Sequence, residues 1–341
     1  MDCQTGRGTD LSTSPVPIHR LEFGLEWPPW TAAAYLVATD DPVLVDAGVP
    51  GDEGEAELRD GLAEYGYDPA DVGHVVLTHP HSDHLGQVPT LREAGARVVA
   101  ARPTRERLRR DPDDLAAAVE RVCRGVGLPD GEIPDQIDRA LDSLRRNRRL
   151  LDPDGIDHAF AFGESFEAGG LAFDPVHTPG HQADHASFAV GVGGEDLLFS
   201  GDALVATFRA AALNVGFDDG AYGAVDDFYA GYDRLDGREF DRVFPGHGPV
   251  FEDAAGALAD SRADLDSLLA GTLDAVRAVG PASPYDLTRE RVGEYEHLAR
   301  LFDTVGALGA LERRGRVERV DSGAEGDDGP RRYRVRPAGE E

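Results

Sequence analysis

"LTHPHSDHLG", residues 77–86, places three histidines and an aspartate between positions 79 and 84 of a chain that has only 11 histidines. Three imidazoles and a carboxylate crowded into one turn cost free energy unless something binds them together. A divalent cation does this, because histidine nitrogen and carboxylate oxygen are the ligands Zn²⁺ takes where cysteine is absent, and no cysteine lies near this cluster. In an extended stretch His79 and His81 project to one side, since alternate residues point the same way. Once the chain turns, Asp83 and His84 can face a second point nearby. The spacing differs from the i, i+4 histidine pair of a helical H-E-x-x-H site. The loop therefore reads as half the ligand set of two neighbouring metals.

Three later stretches offer the other half. "VHTPGHQADH" supplies His181 after a Pro-Gly turn, "FSGDAL" supplies Asp202 at a strand end, and "FPGHGPVF" supplies His247 in a glycine-flanked turn. Each is a short loop that follows an apolar run, and such loops are where layered α/β scaffolds gather functional groups.

Outward from the cluster the chain alternates strand and helix. "AAAYLVATDDPVLVDAG" reads as two strands around a turn, closing on Asp46 and Gly48. "GDEGEAELRDGLAEYG" has helical spacing at Leu58, Leu62 and Tyr65 with acidic residues at its start. "VGHVVLTH" is a short buried strand leading into the cluster, and "TLREAGARVVAA" is a further helix and strand. This rhythm indicates an α/β fold. From Arg102 to about residue 151 the sequence turns helical, rich in arginine and acid, and reads as an insertion beside the site or over it. Strands return in "HAFAFGESFEAGGLAFDPVHTPGH", "ASFAVGVGGEDLLFSGDAL" and "FDRVFPGHGPVF". Beyond residue 255 come two helical stretches with a proline-bearing turn between them, then "RVERVD" and "RRYRVRP" as two strands around "SGAEGDDGP".

"THPHSDHLG", "TPGH", "SGD" and "PGHG", in this order and each after a strand pattern, resemble the metallo-β-lactamase-fold hydrolases over roughly residues 17 to 255. The resemblance implies an αββα sandwich of two mixed sheets. It also implies a ligand set: His79, His81 and His181 on one metal, Asp83, His84 and His247 on the other, and Asp202 bridging both. The expected cofactor is two Zn²⁺ per chain, with iron or manganese as alternatives. In such a site the ions lie about 4 Å apart and generate a hydroxide nucleophile, which Asp83, as the catalytic residue, orients while it moves a proton. Asp46, in "LVDAG", is expected to orient a ligating histidine, and His177 and His185 to stand behind the ligands or in the pocket. Arg209 and Asn214, in the loop after Asp202, are expected substrate contacts.

The implied domain plan is an N-terminal flexible arm over 1–16, the metallo-β-lactamase domain over 17–258 with its insertion at 102–151, a C-terminal domain over 259–337, and a tail over 338–341. The last domain resembles the small winged-helix domain of one branch of the superfamily, which includes β-lactamase-like hydrolases and endoribonucleases. Its wing is basic in places, yet residues 312–341 hold eight arginines against eight acids, so it reads as a docking or homodimer module with at most weak nucleic-acid contact.

The formal charge is −30, and all 34 basic residues are arginine. Such a surface repels polyanions and resembles that of proteins from halophilic archaea, where concentrated salt screens the repulsion. No apolar run approaches the roughly 20 residues of a membrane span. With two cysteines, Cys3 and Cys123, and no secretory pattern at the start, a cytoplasmic protein without disulfides and without a membrane partner is expected.

Blander readings hold elsewhere. His19, His74, His158 and His297 read as ordinary surface or core histidines. Ser200 lacks the flanking glycines of a nucleophile elbow. "GVGGED" lacks a phosphate-loop lysine and reads as a hairpin turn. The runs "RERLRR" and "LRRNRR" fit helix faces paired with nearby acids, or an anionic substrate.

The sequence thus points to hydrolysis of a small ester, thioester, lactone or related acyl substrate. Three alternatives remain: a metal-dependent nuclease, a mononuclear iron enzyme of the persulfide dioxygenase kind, and a non-enzymatic winged-helix binding protein. A glyoxalase II-type thioesterase is similar in motifs, but its lysine contacts have no counterpart in a chain without lysine.

Overall fold

Period-two alternation in the strands decides how the layers stack. In the computed structural model, which describes residues 16–320 and 329–337, a first sheet is built from the N-terminal half. Its strands are β1 (Ile18–Gly24), β2 (Thr31–Val37), β3 (Val43–Val45), β4 (His74–Val76), β5 (Arg97–Ala101) and β6 (His158–Phe160), in that spatial order. β1, β2 and β3 pair antiparallel, and β3 to β6 run parallel. Helix α1 (Asp52–Glu64) connects β3 to β4, and α2 (Ser82–Leu85) and α3 (Val88–Ala94) connect β4 to β5. Asp52, Glu53 and Glu55 in the first turn of α1 complement its dipole.

The second sheet has the order β11-β10-β9-β8-β7. Its strands are β7 (Phe166–Ala168), β8 (Leu171–His177), β9 (Ala186–Val192), β10 (Glu195–Gly201) and, after helix α7 (Ala224–Leu235), β11 (Arg242–Pro245). Only β10 and β11 are parallel. The "GVGGED" stretch forms the β9–β10 hairpin, with Gly193 and Gly194 at positive φ.

Ala33, Tyr35 and Val37 of β2 meet Phe173, Phe188 and Phe199 of the second sheet in the central layer. The intervening Ala34 and Leu36 face outward onto Leu58 and Leu62 of α1. On the far side Leu198 of β10 packs with Val225 and Phe228 of α7. Both sheets are thus buried on both faces, the arrangement of an αββα sandwich.

The expected insertion consists of α4 (Arg102–Leu108), α5 (Pro112–Val126) and α6 (Ile133–Leu150). Asp111 caps α5 through the Asp113 N–H, and Gly127 ends it in the left-handed conformation. The C-terminal part holds α8 (Ala254–Val279), α9 (Pro284–Val292), α10 (Ala299–Arg313) and the antiparallel hairpin β12 (Val317–Val320) and β13 (Arg332–Val335). Helix α8 runs unbroken through residue 258, so the expected boundary falls inside a helix. Leu265, Leu308 and Tyr333 share one apolar cluster with Leu198 and Val225. Leu301 and Val305 of α10 also pack on Val119, Cys123 and Ile133 of the insertion. The N-terminal arm apart from Val16, residues 321–328 of the hairpin loop, and the tail from 338 lie outside the described residues. Among the described residues no helix is long and apolar enough to cross a membrane.

Candidate metal centre

Four strand ends, of β4, β8, β10 and β11, converge on one edge of the sandwich, and each carries one of the motif loops. The backbone ties the loops together. Gly246 N–H donates to Gly201 O at 2.8 Å, Ala33 N–H to Gly246 O at 2.8 Å, and Ala186 N–H to Thr78 O at 2.9 Å. At Gly246 a Cβ would lie 2.4 Å from Asp202 Oδ1 and 2.6 Å from His84 Cε1, so only glycine fits there.

Asp46 anchors the first loop. It sits at the end of β3 with φ 60°, a backbone state that aspartate tolerates better than most residues. Its Oδ1 accepts the Thr78 N–H at 2.8 Å, its Oδ2 accepts the Thr78 hydroxyl at 2.8 Å, and Oδ2 also lies 2.8 Å from His84 Nδ1. His181 Nδ1 donates to Ala211 O at 3.0 Å, and His247 Nδ1 donates to Thr31 O at 2.7 Å. A carbonyl can only accept, so these rings carry the proton on Nδ1 and turn an Nε2 lone pair inward.

The inward atoms form two groups. His79, His81, His181 and Asp202 each offer one donor atom, all within 4.8 Å of one another, and Asp83, His84 and His247 do the same. His81 Nδ1 stands 3.0 Å from His79 Nε2 and 2.9 Å from His181 Nε2. Asp202 lies between the groups: Oδ2 is 3.2 Å from His181 Nε2 and 3.3 Å from His247 Nε2, while Oδ1 is 3.4 Å from His84 Nε2. Asp202 Oδ1 and His84 Nε2 are buried and make no hydrogen bond to the described residues. Buried polar atoms of this kind are costly unless partnered. Nitrogen and carboxylate donors, inward lone pairs and two orphaned atoms suit a pair of divalent cations.

The electrostatics agree with this. Burial works against charge on His84, but the carboxylates of Asp202, Asp46 and Asp83 outweigh it and push the imidazole up to about 10. Burial, with His84 and His81 nearby, holds His79 well below the usual histidine range, and burial likewise lowers His81 and His181. Burial alone would raise Asp202, yet His247, His84 and His181 hold it well below the carboxylate range.

His185 and His177 part company. His185 is fully buried, its Nε2 accepts the Asp202 N–H at 3.1 Å, and its Nδ1 is 2.8 Å from the Thr178 hydroxyl. Burial lowers it to about 3. His177 instead donates from Nε2 to Ala183 O at 2.8 Å and stacks on Phe162, which braces the turn without reaching the donor atoms.

The two expected substrate contacts have partners within the protein. The Arg209 side chain is buried, with Nε 2.7 Å from Asp264 Oδ2 and Nη2 3.2 Å from Asp303 Oδ1, so its guanidinium braces the packing of α8 and α10. Asn214 is buried at φ 48°; its N–H donates to His181 O at 2.8 Å and its Nδ2 to Asp227 Oδ2 at 3.0 Å. It supports the His181 turn.

Sequence reasoning missed Gln182, whose amide lies against His81 Nε2, and Asn147 of α6, whose Nδ2 donates to Pro80 O at 2.7 Å. The position of Gln182 beside a candidate ligand was the available signal; Asn147 had none. In "RERLRR" three arginines pair with acids, Arg107 with Asp184, Arg109 with Asp154 and Arg110 with Asp218; in "LRRNRR" Arg145 pairs with Asp142, while Arg148 donates to the carbonyls of Leu108 and Arg110.

Known proteins share the sequence pattern and the fold. The sequence pattern of the metallo-beta-lactamase superfamily matches residues 27–247, and the chain belongs to that superfamily. A beta-lactamase-like protein 2 homolog of Drosophila melanogaster is 25% identical over 219 residues, 63% of this chain and 58% of that protein. A ribonuclease of Thermus thermophilus is 31% identical over 177 residues, half of this chain but only 34% of the ribonuclease. The chain thus spans less than two thirds of the length of either relative. The fold also matches a crystal structure of a metallo-beta-lactamase family protein from Thermus thermophilus, with TM-score 0.77, 23% identity, and 94% of this chain and 98% of that one covered.

Proposed function

We propose that the protein is a dinuclear, zinc-dependent hydrolase of a small ester, thioester, lactone or related acyl substrate. It would cleave the acyl–oxygen or acyl–sulfur bond with water and release a carboxylate and an alcohol or thiol. The observation that carries this reading is the buried pair His84 Nε2 and Asp202 Oδ1, 3.4 Å apart and without a hydrogen bond among the described residues, inside a ring of seven residues that offer nitrogen and oxygen donors. His79, His81, His181 and Asp202 would hold one ion; Asp83, His84 and His247 would hold the other, with Asp202 shared. Bound divalent ions would supply Lewis acidity and lower the pKa of a water molecule to near neutrality.

The protein's own groups do the rest. Asp83 Oδ2, 3.6 Å from His247 Nε2, is less enclosed than Asp202 and serves to orient the water and carry its proton to the leaving group. Asp46 fixes the ring of His84, and His185 fixes the backbone of Asp202 through its N–H. Halophilic ancestry is part of this reading, supported by the charge of −30, and assays belong at several molar salt.

Elemental analysis of purified protein, together with turnover of an ester, thioester and lactone panel by wild type and Asp202→Ala, tests the reading. Two zinc ions per chain and activity lost in the variant are expected. Fewer than one ion at saturation, or undiminished turnover in the variant, would defeat it.

A nuclease is the second reading. It is favoured by the ribonuclease among the relatives and by the three C-terminal helices and two-stranded hairpin, with an isolated Ala282–Tyr333 bridge beside β13, an order similar to that of a winged helix. The acidic surface weighs against it. Cleavage of single-stranded RNA without hydrolysis of any acyl substrate would put the nuclease first.

A further inference from the structure

Beside the metal centre lies a cavity of about 330 Å³, within the range of small-molecule sites. It is lined by His81 of the donor cluster and by Gln182, whose amide lies against His81, so it abuts the cluster. One wall is α6. Its lining residues Gln136, Ala140, Ser143, Leu144 and Asn147 recur at steps of three and four, which is one helical face. From Gln136 to Asn147 that face extends about 16 Å, at roughly 1.5 Å per residue. A cavity of this volume drawn out over that length is narrow.

The remaining walls are mostly apolar: Leu115 and Val119 from α5, Val215 and Phe217 from the loop after Asp202, and Leu298 and Phe302 from the C-terminal part. Of the three lining arginines, Arg107 is neutralised by Asp184 and Arg110 by Asp218, while Arg139 is solvent-exposed, so the buried part of the interior offers an anion little. Asn147 at the metal end gives its Nδ2 to the carbonyl of Pro80, and its Oδ1 is buried without a hydrogen bond to the described residues.

We propose that this cavity is the acyl-chain subsite of the hydrolase, taking an unbranched apolar acyl group with its carbonyl end at His81 and Gln182 and its chain running along α6 toward Gln136. The proposal rests on the hydrolase reading and narrows it to medium-chain acyl esters or thioesters. Short acyl groups leave the apolar wall unfilled and gain nothing from it.

The test uses the metal-loaded protein at several molar salt. Rates on p-nitrophenyl acetate, butyrate and octanoate are measured beside calorimetric binding of octanoate and acetate, for wild type, Ala140→Phe and Ser143→Phe, with folding checked by circular dichroism. Expected are a kcat/KM about tenfold or more higher for octanoate than for acetate, tighter binding of octanoate, and an octanoate-to-acetate ratio that collapses toward one in both variants. A flat chain-length series with equal binding of the two acids would overturn the subsite, as would variants that leave the ratio intact. Should no ester turn over, the hydrolase reading fails separately. Octanoate binding that Ala140→Phe abolishes would then still support the cavity as an acyl site, and absent binding would end it.

Discussion

Asp46 grips His84 and Thr78 with the same carboxylate, joining the end of β3 to the motif loop across 38 and 32 residues of sequence. Replacing Asp46 with alanine frees the His84 ring to rotate and leaves the Thr78 N–H without its acceptor. Metal affinity, measured by competition with a chromophoric chelator, should fall about 10- to 100-fold. Unchanged affinity would show that the ring is held by packing alone.

Proton release should accompany metal loading. His84, pushed up to about 10, is charged at pH 7 in the metal-free protein, and His247 is raised as well by Asp202 against its burial. Ligation requires neutral imidazole, so binding near pH 7 expels about one proton or more, and affinity climbs with pH until His84 has titrated. Titration calorimetry in two buffers of different ionisation enthalpy reads this directly. Asp46→Ala removes one of the carboxylates that hold the proton and should release less. Identical heats in both buffers would contradict the charge assignment.

Gly246→Ala probes the crowding behind the centre. The added Cβ would run into Asp202 Oδ1 and His84 Cε1, the sides of the two orphaned donors. Metal content after dialysis should drop below that of the wild type, with the far-ultraviolet circular dichroism spectrum preserved. Retention of the full metal complement would mean that the β11 loop yields.

Arg209→Ala separates a packing role from substrate contact. Asp303, which accepts from Arg209 and from the Ala212 N–H at 3.0 Å, would be left as a buried carboxylate without its cation. Losing one partner of a buried pair costs about 3–5 kcal/mol, and denaturant unfolding should show a loss of that order. A large rise in KM with unaltered stability would return Arg209 to the substrate.

The donor residues were legible because each lies in a short, locally patterned loop, and a metal demands particular side chains at particular spacings. The layers were legible where strands form continuous apolar runs bounded by turns, as in β2 and β10. Strand β1 was not, since only Leu21 and Phe23 of its seven residues are buried, as suits an edge. Helix α7 was passed over although Val225, Phe228, Tyr232 and Leu235 recur on one face, because the preceding stretch read as loop. The intramolecular partners of Arg209 and Asn214 were hidden for a deeper reason. Their partners Asp264, Asp303 and Gly180 are brought near only by the tertiary fold, and a lone polar residue in a loop carries no sign of them.

The two donor groups share one property of placement. In each, part of the set follows strands of the first sheet, namely His79 and His81 or Asp83 and His84, and part follows strands of the second, namely His181 and Asp202 or His247. Ions held there act as cross-links between halves of the chain that are distant in sequence. By mass action they bind the assembled sandwich and not the open chain, so the melting temperature should rise with the logarithm of free metal and fall when a chelator strips it.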